Sequence, residues 1–179
     1  HHYMTKPFAN EELLLNVEKA LEHDEIEKEL NQARQRLDEK YSIDGIITRN
    51  SQMEKVLETV KRVAASEISV LITGESGTGK ELIANAVHQY SNRKNKAFVA
   101  LNCGSLPENL IESELFGYKK GAFTGAESSK EGLVERAHNG TLFLDEVGEM
   151  GAEAQVKLLR FAQSGEYIPL GGTNPGRVD

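Results

Sequence analysis

The sequence predicts an α/β fold built on a parallel β-sheet with helices on both faces. Three observations predict it. Apolar runs at 68–73 (ISVLIT), 97–102 (AFVALN) and 141–146 (TLFLDE) lack the in–out alternation of a strand with one wet face. Segments of helical periodicity lie between and around these runs. A glycine-rich turn, GESGTGK, joins the first run directly to one of those helices. The chain has 179 residues, of which 39% are hydrophobic and 27% charged, which suits one domain with appendages.

The elements follow in order. Residues 10–21 (NEELLLNVEKAL) set Leu13, Leu14, Val17 and Leu21 at helical spacing, behind an Asn cap and an acidic first turn. Over 22–40 charges dominate, and Ile26, Leu30, Ala33 and Leu37 are spaced as in a coiled-coil seam, with a solvated linker helix as the alternative. Met53, Val56, Leu57, Val60 and Val63 share one face of a helix predicted over 53–65. Strands are predicted at 68–73, 97–102 and 141–146, and helices over 79–90, 107–116 and 154–162, with a further helical stretch near GLVERA.

Composition narrows the function. No apolar run is long enough to span a bilayer, and no secretory leader is evident. Cys103 is the only cysteine, so an internal disulfide is impossible and a reducing, cytoplasmic setting fits. The net charge of -7 argues against a nucleic-acid surface within this chain. The five histidines show no metal-ligand spacing with Cys103, so zinc is not expected. Both ends read as cut through longer sequence.

Gly74, Glu75, Ser76, Gly77, Thr78, Gly79 and Lys80 fit G-x-x-x-x-G-K between a strand and a helix, the context that gives a phosphate-binding loop its meaning. Glycines turn backbone N–H groups inward, the helix N-terminus adds its positive dipole end, and Lys80 supplies a charge for the outer phosphates. Glu81 stands where such loops usually place the Ser or Thr that holds magnesium. A second acidic source is therefore expected, and Asp145–Glu146 at the end of TLFLDE supplies it. Asp145 suits magnesium, mostly through water, and Glu146 suits the activation of a water attacking the terminal phosphate. Asn102 ends the preceding strand and reaches Glu146 if the two strands are neighbours; an ordinary strand-end Asn is the alternative. Cys103 reads as a small buried residue, since no His/Asp partner makes it a nucleophile.

Between those strands, GAFTGA (Gly121, Ala122, Phe123, Thr124, Gly125, Ala126) interrupts the helical pattern. An aromatic on a glycine-flanked tip is costly to expose unless it meets a partner. GESGTGKE, ALNCGSLPE, ESELFGYKKGAFTGA, GTLFLDE and QVKLLRFAQSGEYIPLGG, in that order, resemble the AAA+ domain of bacterial sigma-54-dependent transcription activators, the NtrC-like family. The resemblance covers 43–179. It implies the N-terminal part of an AAA+ P-loop parallel sheet flanked by helices, an ATPase using ATP and Mg2+, with Glu81 the residue expected after the lysine. It implies that the protein remodels the sigma-54 RNA polymerase holoenzyme, that Phe123 and Thr124 touch sigma-54, and that Asn102 couples nucleotide state to the loop through Glu146. Thr48 and Gly151 depart from the glycine and proline common at those positions, which bears on the base pocket and on a helix start.

YMTKPF resembles the end of a response-regulator receiver domain. Tyr3 would be its aromatic switch residue and Lys6 the lysine that pairs with a phosphorylated aspartate lying outside this chain. The resulting organisation is a receiver end over 1–22, a coiled-coil linker over 23–42, and an incomplete AAA+ domain over 43–179. Its implied partners are a sensor histidine kinase through the receiver, a second copy through the linker, further copies in a hexamer-type ring, and enhancer DNA through a separate C-terminal domain. A P-loop kinase of small molecules and a non-catalytic dimerisation module are the competing readings.

The family's arginine fingers and polar sensor have no counterpart in these residues, and such a finger is worth about 10³–10⁵ in rate. This chain by itself is therefore expected to turn over ATP negligibly. Turnover above a trace, abolished by Glu146→Ala, would contradict that expectation.

Overall fold

The computed structural model describes residues 16–29, 32 and 46–179. The chain divides into two compact units, His1–Ile46 and Ile47–Asp179. In the first, residues 16–29 are helical, with Asp24 and Lys28 paired one turn apart at 2.6 Å. Val17, Leu21 and Ile26 on that helix are exposed. Leu30, Ala33 and Leu37 of the expected coiled-coil seam, and Tyr3 and Lys6 of the expected receiver end, lie outside the described residues.

The second unit opens with α1 (Ser51–Ala64). Asn50 starts it by accepting a hydrogen bond from the Gln52 N–H at 2.8 Å, and Leu57, Val60 and Ala64 form its buried stripe. Then come α2 (Lys80–Tyr90), β1 (Phe98–Asn102), a 3-10 turn at Cys103–Ser105, α3 (Glu108–Phe116) and the short α4 (Leu133–Arg136). β2 (Thr141–Asp145), a 3-10 turn at Val147–Glu149, α5 (Ala152–Ser164) and a small antiparallel pair, β3 (Glu166–Tyr167) with β4 (Gly176–Arg177), complete it. Among the described residues no helix is long and apolar enough to cross a membrane.

β1 and β2 pair in parallel, from Phe98 opposite Thr141 to Asn102 opposite Asp145. Strand periodicity then sorts their side chains between two faces. Leu101, Leu142 and Leu144 pack on a core of Cys103, Ile111, Leu115, Phe116, Val134, Met150, Ala154 and Tyr167, so α3, α4 and α5 cover that face. On the other face the rings of Phe98 and Phe143 stack with centroids 6.1 Å apart, and His88 of α2 lies 5.2 Å from Phe98. Helices on both faces of a parallel pair are the layering expected from the continuous apolar strands.

The strand expected at 68–73 is not formed. That segment pairs with no backbone neighbour among the described residues, and Ile68, Val70 and Leu71 are exposed. A cleft of about 830 Å³ lined by Ile68, Val70, Ile72, Phe98, Phe143 and Val178 separates it from β2. An apolar run encodes a preference for burial; a strand also needs hydrogen-bonding neighbours on its edges. Glu146 leaves the expected third strand as well, because at φ 53° and ψ 43° it turns left-handed and opens the 3-10 turn. Helix α5 extends two residues beyond the expected span at each end.

His88 is 4% exposed, and its Nδ1 lies 2.8 Å from the Thr141 hydroxyl, joining the end of α2 to the start of β2. Burial pushes its pKa below the ordinary 6.5, opposed in part by a hydrogen bond with the Lys94 backbone. With the folded value lowered, the neutral ring's contribution is complete above pH 6.5 and is lost as pH falls below it, because the unfolded chain takes up the proton first. Urea midpoints measured between pH 7 and pH 5 should therefore fall more steeply for the native chain than for His88→Gln. Parallel slopes would remove His88 as the cause.

Candidate nucleotide site and protruding loop

Three groups of residues carry the sequence expectations. The first is the glycine turn. Gly77 and Gly79 adopt φ values of 76° and 85°, a backbone region that favours glycine, and Gly79 leads directly into α2 at Lys80. Among the described residues no side chain caps α2, which leaves its first N–H groups without a side-chain acceptor there. Lys80 Nζ donates to the carbonyls of Gly74 (3.2 Å) and Glu75 (2.8 Å), and the Thr78 hydroxyl donates to Glu75 as well. The ammonium thus sits within the turn that Gly74–Gly79 describes. A Cβ at Gly77 would meet open space, so that side of the turn is uncrowded. Glu81 is exposed on the first turn of α2, and its carbonyl accepts from the buried Asn85 amide.

The second group is the carboxylate pair. The register of β1 and β2 sets Asn102 opposite Asp145. The Asn102 carboxamide oxygen accepts from the Ser105 N–H at 3.0 Å and so shapes the turn that follows β1. Asp145 Oδ1 accepts from the Glu146 N–H at 3.0 Å, which steadies the left-handed turn there. Among the described residues no hydrogen bond joins Asn102 to Glu146. Glu146 instead lays its carboxylate over Gly104, where a Cβ would collide with it, and the Asn102 oxygen lies beside the same position. Gly104 escaped the sequence reading, since its importance arises from a close approach that no motif records. Cys103 is buried next to this pair; burial first, then the charges of Asp145 and Glu146, push its thiol pKa up, which disfavours a nucleophilic thiolate.

Helix α2 relates these two groups. Its residue His88 touches Thr141 at the start of β2, and Ala84, one turn earlier, lines the same cleft as Phe143. α2 therefore packs against β2. Lys80 opens α2 and Asp145 closes β2. Among the described residues no cluster of three His, Cys, Asp or Glu side chains forms a ready-made metal cage. A strand-end carboxylate such as Asp145 has the chemistry to hold Mg2+, which keeps its waters and takes few protein ligands.

The third group is the loop from Tyr118 to Lys130. Its neck is two backbones in contact: a Cβ on Gly132 would strike the backbone of Leu115 to Gly117, and one on Gly117 would strike that of Lys130 to Gly132. Tyr118 and Lys130 exchange backbone hydrogen bonds at 3.0 and 2.9 Å, closing the base. At the tip the N–H of Gly121 donates to Ala126 and that of Ala126 to Phe123. Ala126 is buried, whereas Thr124 is exposed and Phe123 is 45% exposed. Gly121 and Gly125 hold φ values of 84° and 98° with open space around them. The sequence reading found the tip but missed its anchor, the turn after β3. There Leu170 bonds the backbone of Gly117 and Lys119, and Gly171 abuts Ala122.

The neck yields a direct check. Gly132→Ala forces one backbone off another and should cost about 1–3 kcal/mol in urea unfolding. Gly148→Ala, where a Cβ meets nothing, should fall within about 0.5 kcal/mol of the native chain. Equal effects would refute the close approach.

Comparison with known proteins identifies the family. A model described as the Sigma-54 interaction domain matches residues 46–179. The chain is 47% identical over 177 residues to the regulatory protein AtoC of Escherichia coli, covering 99% of this chain and 38% of that protein. It is 46% identical to the DNA-binding transcriptional regulator NtrC of Azospirillum brasilense, covering 99% and 36%. Among solved structures, NtrX from Brucella abortus superposes with a TM-score of 0.76 at 34% identity, over 100% of this chain and 38% of that one. A structure of the same NtrX in complex with ATP matches at 0.75 and 35% identity, over 98% and 36%. The chain thus spans under two-fifths of the length of these relatives. With the phosphate turn, the carboxylate pair and the glycine-necked loop on one α/β unit, the chain belongs to the Sigma-54 interaction domain family of NtrC-like regulators.

Proposed function

We propose that this chain is the nucleotide-driven part of a two-component activator of sigma-54 transcription, an AAA+ ATPase that remodels the sigma-54 RNA polymerase holoenzyme for open-complex formation. One observation carries the reading: the β1–β2 register that sets Asn102 beside Asp145 and Glu146, in a unit that also offers Phe123 on a glycine-necked loop. The ATP bound by the related NtrX supports ATP as the substrate.

In this reading the Gly74–Gly79 backbone and the first turn of α2 cradle the β- and γ-phosphates, with Lys80 released from its loop carbonyls onto phosphate oxygens. Asp145 would hold Mg2+, chiefly through its waters, and the ion would supply positive charge to the phosphate oxygens. Glu146 orients a water in line with the γ-phosphate and takes its proton. Asn102 biases Glu146 between its place over Gly104 and a place toward that water, so nucleotide state acts on β1, α3 and the loop. Phe123 and Thr124 deliver the change to sigma-54.

The wider protein would join several copies into a ring of the hexamer type and pair them through the 23–42 linker. It would take its signal from a sensor histidine kinase through a receiver whose end includes Tyr3 and Lys6. Enhancer DNA would be met by a separate domain, in keeping with the acidic balance of this chain. All of this belongs in a bacterial cytoplasm.

The division of labour is testable in the full-length protein. Glu146→Gln should leave ATP affinity within about twofold and lower turnover by about 10²–10⁴. Thr124→Ala should preserve nucleotide binding while abolishing transcription from a sigma-54 promoter in vitro. Loss of nucleotide binding and transcription together in Thr124→Ala would defeat the assignment.

A further inference from the structure

Phe123 is the least sheltered aromatic of the protruding loop, yet more than half of it is covered. One ring lies against it: Tyr118 meets it edge-on, centroids 5.0 Å apart and planes at 63°. The two rings stand on very different supports. Tyr118 is pinned along both edges of its backbone, paired with Lys130 on one side and bridged to Leu170 on the other. Its neighbours Gly117 and Lys119 complete the bonds to Leu170 at 2.9 and 3.0 Å. Phe123 stands between Gly121 and Gly125, both at positive φ and both with room for movement around them. A fixed aromatic thus faces an aromatic on a hinged tip.

We infer that Tyr118 is the positioning residue for Phe123: its ring holds the tip against the loop base and sets how readily Phe123 is offered to a partner. The inference rests on the reading of Phe123 as the sigma-54 contact. An edge-on aromatic pair is worth enough to bias such an equilibrium by about two- to tenfold. The partner must break that pair before it can cover the whole Phe123 ring, so Tyr118 restrains binding at the same time as it orders the tip.

The test uses the whole chain, with 4-fluorophenylalanine introduced at position 123 alone. Its fluorine shift reports the ring current of Tyr118. Tyr118→Phe, which keeps the ring, should retain the native shift. Tyr118→Leu should move it at least halfway to that of the free amino acid. An unchanged shift in Tyr118→Leu overturns the inference. In the unsubstituted chain, nuclear Overhauser contacts should join the two rings; their absence overturns it without any mutation, even where Tyr118→Leu fails to fold. Purified sigma-54 titrated against the same variants should bind Tyr118→Leu about two- to tenfold more tightly than the native chain, and Tyr118→Phe equally. A lost contact that was merely structural would weaken binding instead, and weaker binding by Tyr118→Leu counts against the restraint. Equal binding by the native chain and Phe123→Ala would sink the sigma-54 reading itself, while the fluorine shifts would still decide whether Tyr118 positions the ring.

Discussion

The parallel pairing of β1 with β2 is the constraint from which the rest of the unit follows. Its register makes Asn102 and Asp145 neighbours, and it ends where both strands turn into 3-10 segments. A shift of one residue would send Leu142 and Leu144 from the core to the α2 face and carry Asp145 to the wrong side. The apolar cluster under α3, α4 and α5 therefore selects the register, and the register positions the chemistry. Burial energy distributed over Ile111, Leu115, Phe116 and Val134 is what holds a few polar atoms at the sheet edge.

That arrangement also connects the strand ends to the loop along the chain. β1 leads through the Cys103–Ser105 turn into α3, and α3 ends at Gly117, the first leg of the loop neck. The second leg enters α4 at Gly132, and β2 follows with Asp145 and Glu146. Both legs of the loop are thus tied to the two strands whose ends carry Asn102 and the carboxylates. Gly104, which leaves room for the Glu146 carboxylate, lies on the same path. A displacement of Glu146 need only alter this turn to be felt at the start of α3.

The chain's rigid and yielding parts are segregated. Gly117 and Gly132 are demanded by backbones in contact, so the neck behaves as a fixed joint. Gly121 and Gly125 are demanded by conformation alone and have space around them. The turn carrying Leu170 and Gly171 braces the loop from the C-terminal side and brings a third stretch of chain to its base.

Local chemistry in the sequence was sufficient to identify the glycine turn, the acidic strand end, the aromatic tip and nearly every helix. Each depends on residues close together in the chain: glycines that permit positive φ, an apolar run closed by carboxylates, a periodic stripe. Tertiary structure decided what depends on distant partners. It left 68–73 without a strand neighbour, since an apolar run specifies burial and pairing requires another backbone. It turned Glu146 out of β2 and laid its carboxylate over Gly104, and it set Tyr118 against Phe123 and Gly171 against Ala122. No local pattern encodes those approaches, because each is produced by packing elements that meet only after the chain has folded.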